Sequence, residues 1–251
     1  MSVEGKVGII TGGSKGMGRH FVTTLIAAGA KIACFARPSP ESDSLARELG
    51  DDVLVIPCDV RDMDQVDAAV ARTVEHFDKL DFLVNNAAIF HPFRLEDARP
   101  EQIEQHVGIN LLGPIWCIRA AIPHLRATKG TIVSVSSESV RMPYPYLSVY
   151  AATKGGLETL TAAMREELRD AGIRSTILRS GSVAGGSGAA DWDPEVGQAF
   201  LATIQRTGHV AFSGAAAQPQ SMAQALANVL SLPADVNVDL IEVRATLSAG
   251  A

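Results

Sequence analysis

Short runs that are apolar throughout alternate with longer segments whose apolar residues recur at helical spacing. This alternation, more than any other feature, restricts the fold. Val7-Gly8-Ile9-Ile10 reads as a buried strand that ends in a glycine turn. Residues 16–28 follow with Phe21, Val22, Leu25 and Ile26 on one helical face, and Gly29 is the stop signal. The same pair of patterns recurs along the chain. Strands are predicted at Ile32 to Phe35, Val53 to Ile56, Leu80 to Val84, Thr131 to Val135 and Ser175 to Leu178. Helices are predicted over 41–49, 62–77, about 100–126 and 148–171. Gly113-Pro114 should bend the helix over 100–126, because proline has no N–H to give to the preceding turn. A helix over 219–231 and a strand over 238–244 close the chain. Strands apolar on both faces need cover on both faces, and helical crossovers make neighbouring strands parallel. The expected fold is therefore α/β: a doubly wound parallel sheet of about seven strands with helices on both faces.

No Pro/Gly/Ser linker divides the chain, so residues 1–251 read as one domain. One stretch breaks the alternation. Residues 181–190 are small and glycine-rich, and Asp191-Trp192-Asp193-Pro194 then leads into a helical segment near 194–206. A long excursion after a strand's carboxyl end lies where parallel α/β sheets bind ligands. Residues 183–215 are accordingly read as a substrate lid.

A net charge of −6 argues against nucleic-acid or anionic-membrane partners. Cys34, Cys58 and Cys117 fit no zinc spacing and read as buried free thiols in a reducing compartment. No segment approaches twenty apolar residues, and the N-terminus lacks a basic leader region, so a cytoplasmic, non-membrane protein is expected.

Thr11-Gly12-Gly13-Ser14-Lys15-Gly16-Met17-Gly18 joins the first strand to the first helix. Glycines at 12, 16 and 18 allow a tight turn, close approach of a pyrophosphate and packing of helix on sheet. The helix N-terminus presents N–H groups and partial positive charge to that anion. A nicotinamide dinucleotide is the implied cofactor. At the end of the second strand, where an acid would read an unmodified ribose, the chain has Phe35-Ala36-Arg37. With Lys15 as a second cation and no carboxylate, NADP(H) is expected over NAD(H).

Tyr150 and Lys154 stand four residues apart, and so share one face of a helix. An ammonium beside a phenol favours the phenolate and should lower the tyrosine pKa. Ser137 precedes Tyr150 by thirteen residues, just past the fifth strand. All three can meet at the sheet's carboxyl edge. No His/Cys/Asp cluster suggests a metal, and of six histidines only His91 falls near the expected substrate position.

With these motifs the chain resembles the short-chain dehydrogenase/reductase family, in its branch of roughly 250-residue Rossmann-fold enzymes. The resemblance rests on the turn at 11–18, Asp59-Val60, Asn85-Asn86-Ala87-Ala88, Asn110, and Ser137 with Tyr150 and Lys154, in that order along nearly the whole chain. It implies a carbonyl reductase-like enzyme that interconverts a ketone or aldehyde and an alcohol. In that reading Tyr150 is the proton donor or acceptor, and Lys154 lowers its pKa and holds the nicotinamide ribose. Ser137 holds the substrate oxygen, and Asn110 holds a water that links Lys154 to solvent. Gly12, Ser14, Lys15, Gly16, Met17, Gly18 and Arg37 would contact the cofactor. Asp59 and Val60 would sit against its adenine, Asn86 would line the cleft, and Val183 would face the nicotinamide. The resemblance also implies a homotetramer or homodimer formed through the helices near 100–126 and 148–171.

Three positions depart from the family pattern: Ala88 for a glycine, Ser180-Gly181 for Pro-Gly, and Gly185 for a threonine that helps hold the nicotinamide carboxamide. The C-terminus also lacks the glycine-rich ending of ketoacyl-reductase-like members. Ile89, Phe90, Val140, Met142, Tyr144 and Trp192 should rim the pocket, so a substrate with apolar substituents is expected. The rival readings are a non-catalytic NADP-binding regulator or scaffold, and a dehalogenase-like relative that uses a Ser/Tyr pair without a nucleotide. The glycine turn and Lys154 argue against the latter.

Overall fold

Consecutive residues of an extended chain point to opposite faces of a sheet, so a strand apolar at every position feeds two cores at once. In a computed structural model describing residues 2–186 and 191–246, Ile9 and Ile10 do this. Both are fully buried, Ile10 in one core and Ile9 in the other. The strands are β1 (Val7–Thr11), β2 (Lys31–Ala36), β3 (Val53–Pro57), β4 (Phe82–Asn85), β5 (Thr131–Ser137), β6 (Arg174–Ser180) and β7 (Leu240–Val243). They form one sheet in the order β3-β2-β1-β4-β5-β6-β7, and every pairing is parallel. The doubly wound, Rossmann-like sheet of seven strands is as expected.

The helices are α1 (Gly16–Ala27), α2 (Pro40–Leu49), α3 (Met63–Phe77), α4 (Pro100–Val107), α5 (Gly113–Thr128), α6 (Ser148–Glu167), α7 (Pro194–Arg206), α8 (His209–Ser213) and α9 (Pro219–Leu230). Phe21, Val22 and Leu25 of α1 pack with Met222 and Leu226 of α9 on one face of the sheet. Val66 and Val70 of α3, Cys117 and Leu125 of α5, and Met164 of α6 cover the other. Each such aliphatic side chain contributes about 1.5–3 kcal/mol on burial, so the helical stripes bind to the sheet without help from propensity. Starts are set locally. Ser39 and Ser42 form a reciprocal cap before α2, and the Asp62 carboxylate accepts from the N–H groups of Asp64 and Gln65 at 3.0 and 3.1 Å.

Two boundaries differ from the sequence reading. The stretch over 100–126 divides into α4, a π-helical turn over residues 108–112, and α5. Pro114 has no N–H for the Asn110 carbonyl four residues back, and the Gly113 N–H bonds five residues back to Gly108. The irregularity therefore falls just ahead of the proline. Helix α6 ends at Glu167 rather than 171, where the chain turns through Gly172 at φ 70° into β6.

The sheet order reverses around β1, whose neighbours are β2 and β4. A crevice opens at the carboxyl ends of β1 and β4, where such sheets bind ligands. The excursion after β6 starts and closes at one point, because Val183 bridges Ala217 and the Ala217 N–H donates to the Ser182 carbonyl at 2.9 Å. Residues 187–190, within the stretch expected to be a lid, and residues 1 and 247–251 at the chain ends, lie outside the described residues. No helix among the described residues is long and apolar enough to cross a membrane.

Candidate active site

Strand β1 delivers Thr11 to the crevice, and the chain turns there into α1. Gly12 has φ 65°, in the left-handed region that glycine occupies without strain. A Cβ on Gly18 would lie 2.2 Å from the Gly12 carbonyl oxygen and 2.5 Å from Asn86 Nδ2, so a side chain there would push the turn off the helix. Asn86 is a brace beneath this turn. Its Nδ2 donates to the Thr11 and Gly12 carbonyls at 2.9 and 3.2 Å. Thr11 Oγ1 accepts from the N–H groups of Asn86 and Ala87, each at 3.0 Å. The sequence reading put Asn86 in the cleft wall and missed Thr11, whose only local signal is a hydroxyl at the end of an apolar strand.

Lys15 precedes α1 without giving it a side-chain cap, so the first N–H groups of the helix are left for a ligand. They face an open cleft of about 400 Å³ lined by Ser14, Lys15, Gly16, Arg19 and Ser44. A Cβ on Gly16 would meet nothing within 4 Å. A backbone cradle of this shape, next to cations, fits a dinucleotide pyrophosphate. Arg19 is engaged by Glu48, whereas Lys15 and Arg37 are exposed, Arg37 just past β2.

Of the other expected cofactor contacts, Asp59 follows β3 and chelates Arg61. The guanidinium, then its backbone N–H, hold the carboxyl below the usual range, with Arg37 adding to the effect. Val60 is buried against Gly113, the Met17 sulfur lies 4.0 Å from Ser180 Oγ, and Val183 bridges Ala217. Ser180, where the family pattern has proline, turns its hydroxyl to the Gly181 carbonyl at 2.8 Å.

The proposed catalytic residues converge from three elements. Ser137 ends β5 and is half-buried, and its Oγ accepts from the Ser139 N–H at 3.1 Å. Tyr150 and Lys154 occupy the first two turns of α6. Lys154 is only 3% exposed, and its ammonium donates to the Val135 carbonyl at 2.8 Å. Nζ stands 5.9 Å from the Tyr150 ring centroid. Burial drives the Lys154 pKa down to about 8.

Tyr150 behaves differently from the sequence expectation. Its pKa is raised above the ordinary phenol value, first by burial and then by the nearby Glu138 carboxylate, while the Ser137 hydroxyl beside it acts the other way. Lys154 directs its ammonium to β5 and does not offset the desolvation.

Asn110 is fully buried in the π-helical turn. Its Oδ1 accepts from the Ile89 N–H and its Nδ2 donates to the Ile89 carbonyl, both at 2.9 Å, and to Thr153 Oγ1 at 3.3 Å. Thr153 in turn donates to the Tyr150 carbonyl at 2.7 Å. The Asn110 side chain thus ties the loop after β4 to the first turns of α6.

Aromatic residues cluster beside Tyr150. The Phe90 ring centroid lies 6.0 Å from that of Tyr150 and 5.6 Å from that of Trp192, and Trp192 packs edge-on against Phe200 of α7. Tyr144 joins the same cluster. His91 gives its backbone N–H to the buried His106 ring at 3.1 Å, which fixes the loop carrying Phe90.

A family profile described as short chain dehydrogenase matches residues 6–195. An 11-beta-hydroxysteroid dehydrogenase-like protein of Arabidopsis thaliana is 36% identical over 188 residues, which are 73% of this chain and 60% of that relative. The match therefore leaves out more than a third of that relative's length. An uncharacterized oxidoreductase of Staphylococcus aureus is 27% identical over 241 residues, 95% of this chain and 96% of its own. Among solved structures, a 3-ketoacyl-(acyl-carrier-protein) reductase from Brucella melitensis complexed with NADH has a TM-score of 0.83 at 30% identity, covering 96% of this chain and 98% of the other. An alcohol dehydrogenase from Thermococcus sibiricus complexed with 5-hydroxy-NADP has a TM-score of 0.80 at 26% identity, covering 98% and 99%.

Proposed function

The chain belongs to the short-chain dehydrogenase family, and from that premise we propose that it is a carbonyl reductase-like, NADP(H)-dependent oxidoreductase. It interconverts a ketone or aldehyde and an alcohol, with Tyr150 as proton donor and acceptor. The observation that carries this reading is the meeting of Ser137, Tyr150 and the buried Lys154 beside an uncapped helix N-terminus. When bound in the crevice, the nicotinamide dinucleotide supplies or accepts the hydride.

The chain's own residues position the substrate and move the proton. The Ser137 hydroxyl holds the substrate oxygen where charge develops. In reduction the Tyr150 O–H bond breaks as a new O–H bond forms on the substrate oxygen. A high phenol pKa keeps that proton in place at neutral pH. Lys154, acidified to about 8, returns a proton to the tyrosinate. Asn110 holds Thr153 and hence the Tyr150 turn of α6 in place.

Preference for NADP(H) rests on the exposed cations Lys15 and Arg37, with no carboxylate at the end of β2. The two solved neighbours hold NADH and 5-hydroxy-NADP respectively, so the preference is argued from these side chains alone. Phe90, Trp192 and Tyr144 support an apolar ketone or secondary alcohol as substrate. We take residues 1–251 as one domain and the location as cytoplasmic, in keeping with three free, buried cysteines. A homotetramer or homodimer through α4–α5 and α6 fits the exposed Leu112 beside α5.

The test is oxidation of NADPH, with NADH in parallel, against a panel of aryl and alkyl ketones, sugars and keto acids. Turnover of apolar ketones, lost by about 10²–10⁴-fold in Tyr150→Phe with NADPH binding intact, is expected. NADPH binding without turnover of any carbonyl would favour the regulator or scaffold. Turnover confined to sugars or acids would overturn the apolar assignment.

A further inference from the structure

Glu138 follows the proposed substrate-oxygen residue Ser137 directly, and it is a carboxylate only 5% exposed. Removing a carboxylate from water costs several kcal/mol unless partners replace the solvent. Its partners come from three other parts of the chain. Oε1 accepts from the Tyr144 hydroxyl at 2.9 Å, in the loop between β5 and α6. The same oxygen accepts from the Ser213 hydroxyl, at the end of lid helix α8. Oε2 faces the Arg244 guanidinium at 3.4 Å, just past β7.

The lid is held at these same groups. Arg244 sits over the ring of Phe212, the residue before Ser213, with its guanidinium carbon 4.2 Å from the centroid. The Tyr144 ring packs 4.8 Å from His209 of α8 and 6.4 Å from Phe200 of α7. His209 Nε2 lies 3.1 Å from the Pro143 carbonyl. Phe200 carries Trp192, and Trp192 reaches Phe90 beside Tyr150. Contacts therefore run without a break from the Glu138 carboxylate through α8 and α7 to the aromatic wall of the cleft.

We infer that Glu138 is a positioning residue that latches the lid over the Ser137–Tyr150 cleft, through Ser213 and Tyr144 with Arg244 as counter-ion. The inference rests on the reading of residues 183–215 as a substrate lid. The latch is small, so α8 can leave by giving up the Ser213 hydroxyl bond, the Arg244 contact on Phe212 and the His209 contacts with Tyr144 and Pro143. The aromatic wall around Trp192 then opens with it. Substrate entry and release are the steps it governs. The hydride and proton steps at Tyr150 are left to the residues already named.

The test uses Trp116→Phe as background, so that Trp192 is the sole tryptophan. Acrylamide quenching of Trp192 reads the lid without any turnover. In Glu138→Ala, Ser213→Ala and Arg244→Met the quenching constant should rise at least threefold, with NADPH affinity within twofold of the background protein. Glu138→Gln keeps an acceptor for Tyr144 and Ser213, and should restore most of the protection. For acetophenone, or whichever panel ketone the wild type reduces, KM should rise about tenfold in Glu138→Ala while kcat changes less than threefold.

Unchanged quenching and KM in all three variants would overturn the latch, even where the enzyme turns over ketones as proposed. Parallel loss of NADPH binding and thermal stability would assign Glu138 to the fold alone. If Glu138→Ala does not fold, Ser213→Ala and Arg244→Met decide, because one acts from the lid and the other from the end of β7, and both leave the β5 end intact. A wild type inactive on every carbonyl would remove the proposed reaction, while the quenching series would still read the latch.

Discussion

Lys154 stands 5.9 Å over the Tyr150 ring, one helical turn further along α6, and gives its ammonium proton to the Val135 carbonyl rather than to the phenol. Lys154 is buried and Tyr150 half-buried, and their pKa values move apart. The phenol rises above its ordinary value and the ammonium falls to about 8. A pair arranged this way holds its proton on Tyr150 at neutral pH and has a ready source of a second proton in Lys154.

Tyr150 should therefore stay un-ionised in the cofactor-free protein until alkaline pH. A phenolate absorbance titration, taken as wild type minus Tyr150→Phe, should show Tyr150 ionising at higher pH than a free tyrosine. A phenolate present near pH 7 would contradict this. The same direction predicts that alcohol oxidation, which needs the base form, gains rate as pH rises, while carbonyl reduction does not.

Lys154 should make stability depend on pH in a defined window. Its pKa is 10.5 when unfolded and about 8 when folded, so between those values the unfolded chain binds more protons and stability rises with pH. Below about pH 8 the full penalty applies, on the order of 3 kcal/mol. Lys154→Met removes that penalty but leaves the Val135 carbonyl short of a partner, at about 1 kcal/mol. The variant should be about 2 kcal/mol more stable to urea at pH 7, lose the rise between pH 8 and 10, and lose activity. A less stable variant would refute the burial argument.

Arg37→Asp should weaken NADPH binding far more than NADH binding. The exposed guanidinium past β2 is placed to meet a 2′-phosphate, and a carboxylate there would repel it and accept a ribose hydroxyl instead. Paired fluorescence titrations with both nucleotides would show it. Equal losses for the two would remove the basis for NADP(H) preference.

Gly18→Ala should disable the nucleotide turn. The new methyl would lie 2.2 Å from the Gly12 carbonyl oxygen, which is backbone and has no side-chain freedom to yield. A stability loss of about 1–3 kcal/mol is expected, together with loss of NADPH binding by calorimetry. Wild-type affinity in this variant would show that the turn has more slack than the contacts with Asn86 and Thr11 imply.

Much of this molecule was legible before folding. The strands, the glycine turn and the order of Ser137, Tyr150 and Lys154 all follow from local periodicity and spacing, and the helix starts at Ser39 and Asp62 carry their own cap residues. The π-helical turn was half legible: Pro114 announced a missing hydrogen bond, yet its register, which buries Asn110, depended on packing against Ile89 and Thr153. Asn86 reads from sequence as a cleft residue. Its role as a brace needed the position of Thr11, 75 residues away.

The sequence by itself determined the sheet, the nucleotide turn and which side chains could carry a proton, because periodicity and short spacings are properties of neighbours along the chain. Only the tertiary structure decided where those side chains find their partners. Glu138 reads as one charge among serines, and burial with Ser213, 75 residues on, makes it an anchor. Lys154 reads as the group that acidifies Tyr150, and the carbonyl at Val135 takes its proton bond first. Desolvation and long-range pairing depend on what packs nearby in space, and no local pattern encodes that.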